Sequence, residues 1–196
     1  MRTEKIKLYS FDELSYEAKK YAIQKCRESE SYLDYEWWEY TVYDDFHTIL
    51  EILGYYDIEC YFSGFWNQGD GASFVANWSY AKGCINKIKE YAPKDKELHR
   101  IAKELQETAR YNRYDIRAKI YKLGNYGHEM TMHIDYFESY TVENPYQGEF
   151  LEASRDLARW LYKALEEQYD HFNTDECIAE HLEINEYEFK ENGELY

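Results

Sequence analysis

The chain has 196 residues, of which 39 are acidic and 23 basic, for a formal net charge of −16, and its 44% hydrophobic content includes 23 Tyr, 9 Phe and 5 Trp. So many rings exclude disorder, which is poor in aromatics, and a chain of this length without a Pro/Gly/Ser-rich linker is expected to form one domain over residues 1–196. The acidity disfavours direct binding of duplex nucleic acid, and the lack of any long apolar run argues against a membrane span.

In chain order, residues 5–9 read as a short strand. Ser10-Phe-Asp-Glu13 reads as a capping box, followed by an apolar stripe of Leu14, Ala18, Tyr21 and Ala22, which predicts a helix to about Glu28. A second helix over residues 36–53 aligns Trp38, Val42, Phe46, Ile49, Leu50 and Leu53, with Gly54 placed to end it. The period then changes to 2. Ile58, Cys60 and Phe62 alternate with polar neighbours, as do Ala72, Phe74, Ala76 and Trp78, which predicts two antiparallel strands joined by a loop over residues 64–71.

A helix over residues 80–91 follows, and Pro93 is expected to open another carrying Leu98, Ile101, Ala102, Leu105 and Ala109. Tyr114, Ile116, Ala118 and Ile120 mark a third strand. Met130, Met132, Ile134 and Tyr136 mark a fourth, reached through the turn residues Leu123-Gly-Asn-Tyr-Gly127. A long helix over residues 149–169 places Phe150, Leu157, Leu161, Ala164 and Leu165 inward. Thr174 can cap a short helix to Leu182, and Asn192-Gly193 forms a final tight turn. The whole pattern is an α+β fold, an antiparallel sheet of about four to six strands with helices packed mainly on one face.

The charges are unevenly spread. Residues 31–80 hold nine acids, Glu36, Glu39, Asp44 and Asp45 among them, and no Lys or Arg, whereas residues 81–130 hold 12 bases and seven acids. An acidic run is commonly a solvated face; it can also receive a basic partner. Cys26, Cys60, Cys84 and Cys177 form no CxxC pair, and the six histidines form no metal pattern, so reduced buried thiols and no metal are expected. The N-terminal Met1-Arg-Thr-Glu-Lys-Ile-Lys7 lacks the apolar stretch of a signal peptide, so a cytoplasmic protein is expected.

One segment has the composition of a site, Tyr61-Phe-Ser-Gly-Phe-Trp-Asn-Gln-Gly-Asp-Gly-Ala-Ser-Phe74. The glycines Gly69 and Gly71 permit close backbone approach, Phe65 and Trp66 offer rings for stacking or anchoring, and Tyr61, Asn67, Gln68 and Asp70 supply polar groups. Gly-Asp-Gly is also ordinary hairpin chemistry, and either ring can simply cover the edge of a core. The segment lacks the Walker and dinucleotide fingerprints, so no cofactor is expected. Asp70 with His133 is the best catalytic pair the sequence offers, and with no recognised nucleophile motif a non-enzyme is expected.

This segment, together with Tyr9-Ser-Phe-Asp-Glu-Leu-Ser-Tyr-Glu-Ala-Lys19, Trp37-Trp38-Glu39, Tyr43-Asp-Asp-Phe46 and Tyr91-Ala-Pro-Lys-Asp-Lys-Glu-Leu-His-Arg-Ile101, resembles a family of small phage and prophage proteins often labelled antitoxins of a toxin–antitoxin stability system. The resemblance implies a phage setting and a binding role, and carries no catalytic residues. Two functions follow as expectations. The first is a counter-defence or antitoxin-like protein that neutralises a bacterial defence or toxin protein through an acidic, Tyr-rich surface, carboxylates standing in for DNA phosphates. The second is a sponge for a small anionic nucleotide signal, using the loop with Arg117 and Lys119 as phosphate contacts.

Overall fold

A computed structural model describes residues 6–29, 35–137 and 147–196, the side chains of residues 35–37, 137 and 147 excepted. In chain order the elements are β1 (Tyr9–Ser10), α1 (Tyr16–Arg27), α2 (Tyr35–Leu53), β2 (Tyr55–Phe62), β3 (Ala72–Ser79), α3 (Cys84–Tyr91), α4 (Lys96–Tyr111), β4 (Arg117–Lys122), β5 (Met132–Phe137), α5 (Gln147–Phe172), α6 (Asp175–Ile184) and β6 (Glu188–Phe189). Two single-turn 3-10 helices stand at Phe11–Glu13 and Glu129–Thr131. The fold is α+β with two antiparallel sheets, and the chain divides into two compact units, residues 41–166 and residues 1–40 with 167–196.

The larger unit is built on a four-stranded sheet in the order β2-β3-β4-β5. Alternation along β3 turns Ala72, Phe74, Ala76 and Trp78 to one face, where each is at most 4% exposed. The register sets Trp78 beside Tyr55 and Ala118, and Ile120 beside Ala76 and Ile134, so one face of all four strands is apolar. Helices cover that face. Phe46 of α2 meets Phe74 edge-on at 5.6 Å, and Phe150 of α5 lies 4.6 Å from Trp78. The opposite face carries the row Tyr56, Asn77, Lys119 and Asp135 and meets solvent, as one-sided antiparallel sheets do.

Three polar side chains of this core are matched to one another or to backbone carbonyls. Ser154 Oγ donates to the Phe150 carbonyl at 2.9 Å, which leaves it able to accept the Tyr55 hydroxyl at 3.0 Å, while Trp78 Nε1 donates to the Leu53 carbonyl at 3.0 Å. Gly54 ends α2 as expected, and its role is wider than a cap. Its φ is +98°, and an added Cβ would stand 2.2 Å from the Ser79 carbonyl oxygen, so only glycine lets α2 turn this closely past the end of β3.

The helix starts differ from expectation. α3 begins at Cys84 rather than Tyr80, because Gly83 takes a left-handed conformation and Tyr80 packs on Tyr114 at 4.7 Å. α4 is opened by Asp95 and not by Pro93. Its Oδ1 accepts from the backbone of Glu97 and Leu98, both at 3.0 Å, and Oδ2 accepts from Trp160 Nε1 at 2.7 Å. The third strand starts at Arg117, since Arg113 and Tyr114 both have positive φ; the fourth starts at Met132, with Met130 in a 3-10 turn and 57% exposed.

The smaller unit packs Phe11, Leu14, Ala18, Ala22, Ile178, Leu182 and Phe189 into its own core around α1 and α6. Its two-stranded sheet pairs Tyr9 with Phe189 and Ser10 with Glu188, so the first strand is shorter than expected, and Lys5 lies outside the described residues. Glu13 does reach back to the Ser10 backbone N–H at 3.0 Å, but this closes the 3-10 turn, and Ser15 caps α1 through Ala18 N at 3.3 Å. Tyr21, expected in the buried stripe, is 42% exposed. Thr174 caps α6 through Cys177 N at 3.3 Å, as its position predicted.

Candidate functional site

The hairpin loop between β2 and β3 is held by its own polar groups. Asn67 N–H donates to Asp70 Oδ2 at 2.7 Å, Asp70 N–H donates back to the Asn67 carbonyl at 3.1 Å, and Asn67 Nδ2 donates to the Phe65 carbonyl at 3.4 Å. Ser63 closes the base of the loop, its N–H on the Gly71 carbonyl and its Oγ on the Gly69 carbonyl, both at 3.2 Å. Three backbone donors at the loop, those of Ser63, Asn67 and Asp70, are thus used within it, and the Asp70 carboxylate takes the place an anion would have on the Asn67 N–H.

Two rings leave this loop in different ways. Phe65 turns inward, 8% exposed, and packs on Phe62 at 4.8 Å and Tyr162 at 5.5 Å. Trp66 turns outward, 71% exposed, at a φ of +70° that only the surrounding bonds hold in place, among them its backbone bond to Tyr162. Burial pushes the Tyr162 phenol upward from its ordinary pKa, and the nearby carboxylates of Glu166 and Asp70 add to that direction. Gln68 is exposed beside Trp66.

A second loop, between β4 and β5, backs the first. Gly69 stands against the Tyr126 ring, 3.4 Å from where a Cβ would be, and a Cβ on Gly71 would stand 3.1 Å from His128 Cα. Gly127 in turn leaves no room for a side chain, because the Phe62 backbone is 2.9 Å away. The glycines of the motif therefore serve loop-on-loop packing. Along this second loop Leu123, Tyr126 and Met130 are 55%, 61% and 57% exposed. Their apolar character inside a turn was the sequence signal, and placing their loop against the Trp66 loop needed the contact of Gly69 with Tyr126.

The remaining candidates are dispersed. Tyr61 lies under Lys122 Nζ at 4.6 Å, and its phenol is pushed upward by desolvation and by a hydrogen bond to Glu59. Arg117 pairs with Ser79 and Lys119 with Asn77, seven and five residues along β3 from Ala72 at the loop end. At about 3.4 Å per residue those bases stand roughly 24 and 17 Å from the loop. The structure does not bring them to it.

Of the acidic candidates, Asp44 is exposed, Glu39 is half-buried, and Asp45 accepts the Tyr91 hydroxyl; the side chain of Glu36 lies outside the described residues. Asp70 is engaged with Asn67 and His133 stacks on Tyr121 at 5.7 Å, so the catalytic pairing is not formed. The fold does unite one Cys/His pair that spacing could not show, Cys60 Sγ with His47 Nε2 at 3.8 Å. Burial pushes the Cys60 thiol up to about 12, which keeps it protonated and leaves it a poor nucleophile.

Among the described residues no helix is long and apolar enough to cross a membrane. No curated protein and no solved structure matches the chain. Residues 37–175, which include both loops and the whole four-stranded sheet, match a family described as a domain of unknown function, and the chain thereby belongs to the DUF8835 family.

Proposed function

We propose that this protein is a non-enzymatic binding protein that captures a basic protein partner, with Trp66 as its anchor. One observation carries the reading: Trp66 is 71% exposed on a loop that Ser63, Asn67 and Asp70 brace with hydrogen bonds inside the loop. A large ring presented without conformational freedom loses little entropy on docking, which is the pattern of an interface hot spot. The net charge of −16 favours a partner of opposite sign and steers its approach. In the phage setting that the sequence resemblance implies, that partner is a bacterial defence or toxin protein, and a surface that itself contacts phosphates suits an acidic competitor. The sponge reading receives no support at this loop, since the Asp70 carboxylate already holds the Asn67 N–H and the expected bases stand at a distance.

The test compares the parent with Trp66→Ala in pull-downs from bacterial lysate, followed by calorimetry on the captured protein. Removal of the ring is expected to cost about 2 kcal/mol of binding, roughly 30-fold in affinity, with the melting temperature preserved. Equal affinity of the two proteins for the same partner would sink the proposal.

A further inference from the structure

At the end of the sheet opposite the Trp66 loop, the chain carries a concentration of positive charge. Residues 110–119 contain four bases and one acid, Asp115, in a protein with a net charge of −16. Lys82, Arg110, Arg113 and Arg117 are all exposed, and among the described residues none of the four lies within ion-pair distance of a carboxylate. By contrast Arg100 and Arg159 each engage at least two acids. Topology gathers the four. Arg117 is paired with Ser79, Arg113 N–H bonds the Arg110 carbonyl at 3.1 Å, and Tyr80 packs on Tyr114 at 4.7 Å with the rings tilted by 40°, which joins the segment holding Lys82 to the segment holding Arg113.

Two further features separate this pole from a merely solvated charge run. Arg113 and Tyr114 are consecutive non-glycine residues at φ +54° and +61°, a strained backbone of the kind that concentrates at ligand clamps. Tyr114 is 48% exposed although it packs on Tyr80, so much of the side chain is open to contact. Basic side chains flanking a partly exposed aromatic pair match a phosphodiester strand whose bases are unstacked. An acidic peptide would use the charges and leave the rings idle. A duplex would offer no free base and would bring a dense line of phosphates against an acidic molecule.

We propose that this pole, formed around Tyr80, Lys82, Arg110, Arg113, Tyr114 and Arg117, binds single-stranded nucleic acid. The site is independent of the Trp66 loop, and the two proposals fail separately. Fluorescence anisotropy with labelled 20-mers of deoxythymidine and of uridine tests it directly. Saturable binding is expected to weaken about 50-fold between 50 and 200 mM salt if four phosphates are contacted. The Arg113→Glu/Arg117→Glu variant is expected to lose at least 10-fold, and Tyr114→Ala several-fold, while Trp66→Ala binds as the parent does. Lys82→Glu/Arg110→Glu, which leaves the strained segment untouched, repeats the loss should the first pair unfold, as judged by circular dichroism. Failure of the parent to bind either 20-mer, unchanged affinity in a folded charge-reversed variant, or equal competition by poly-glutamate would each overturn the assignment.

Discussion

At the scale of the residue, two side chains of the same loop are asked for different things. Trp66 is exposed and predicted to matter only for binding, whereas Gly71 lies where a Cβ would meet the His128 backbone at 3.1 Å. Gly71→Val is therefore expected to part the two loops, lowering the melting temperature and partner affinity together, and parallel thermal unfolding and calorimetry would check it. Gly54 gives a sharper case. Gly54→Ala adds a Cβ 2.2 Å from a carbonyl oxygen at positive φ and is expected to destabilise on the order of 3 kcal/mol or more. Gly148→Ala, in α5 with nothing within 4 Å, should instead stabilise by about 0.5–1 kcal/mol. Urea unfolding of both variants measures the contrast. Equal effects would mean that the Gly54 turn is not as tight as described.

At the scale of the element, the helices differ in how much hangs on their first residue. Thr174 caps α6 through one bond, so Thr174→Ala is expected to cost about 1 kcal/mol. Asp95 caps α4 with one oxygen and receives Trp160 Nε1 with the other, while the Trp160 ring stacks on Phe46 at 6.0 Å. Asp95→Ala removes the cap and leaves a partly buried indole N–H without its acceptor, for an expected loss of about 2–4 kcal/mol. Asp95→Ser, which keeps a capping oxygen, should recover the smaller part. Chemical denaturation of the three variants ranks them. α2 was legible because Trp38, Val42, Phe46, Ile49, Leu50 and Leu53 recur on one helical face and every one is buried. The start of α4 was less legible because Pro93 and Asp95 are both start signals, and the bonds from the Glu97 and Leu98 N–H groups to Asp95 show which is used.

At the scale of the whole molecule, burial sets a pH dependence that composition alone would not suggest. Desolvation raises the thiols of Cys26 and Cys60 to about 11 and about 12, and lifts the phenols of Tyr55 and Tyr136 above their ordinary range. In the unfolded chain these groups release protons near their ordinary values, about 8.5 for thiols and about 10 for phenols. Above pH 8.5 the folded state therefore binds more protons than the unfolded one, and stability is lost as pH rises, up to the folded values. Absorbance at 295 nm through an alkaline titration should show a fraction of the 23 tyrosines ionising only as circular dichroism collapses. A single reversible phenol titration with unchanged dichroism would contradict the burial assigned to Tyr55 and Tyr136.

Local chemistry determined the α+β class, the helix faces, the β2–β3 hairpin and the Thr174 cap, because period and hydrogen-bonding side chains act over a few residues along the chain. The tertiary structure decided what depends on distant segments meeting. Asp70 became a brace for Asn67, Gly69 and Gly71 became seats for Tyr126 and His128, and Arg117 was carried by antiparallel pairing to the far end of the sheet from Trp66. Cys60 met His47 in surroundings that keep its thiol protonated. The same residue types could have built a phosphate cradle or a reactive thiol; which groups face one another, and how dry their surroundings are, is set by contacts that spacing along one chain does not encode.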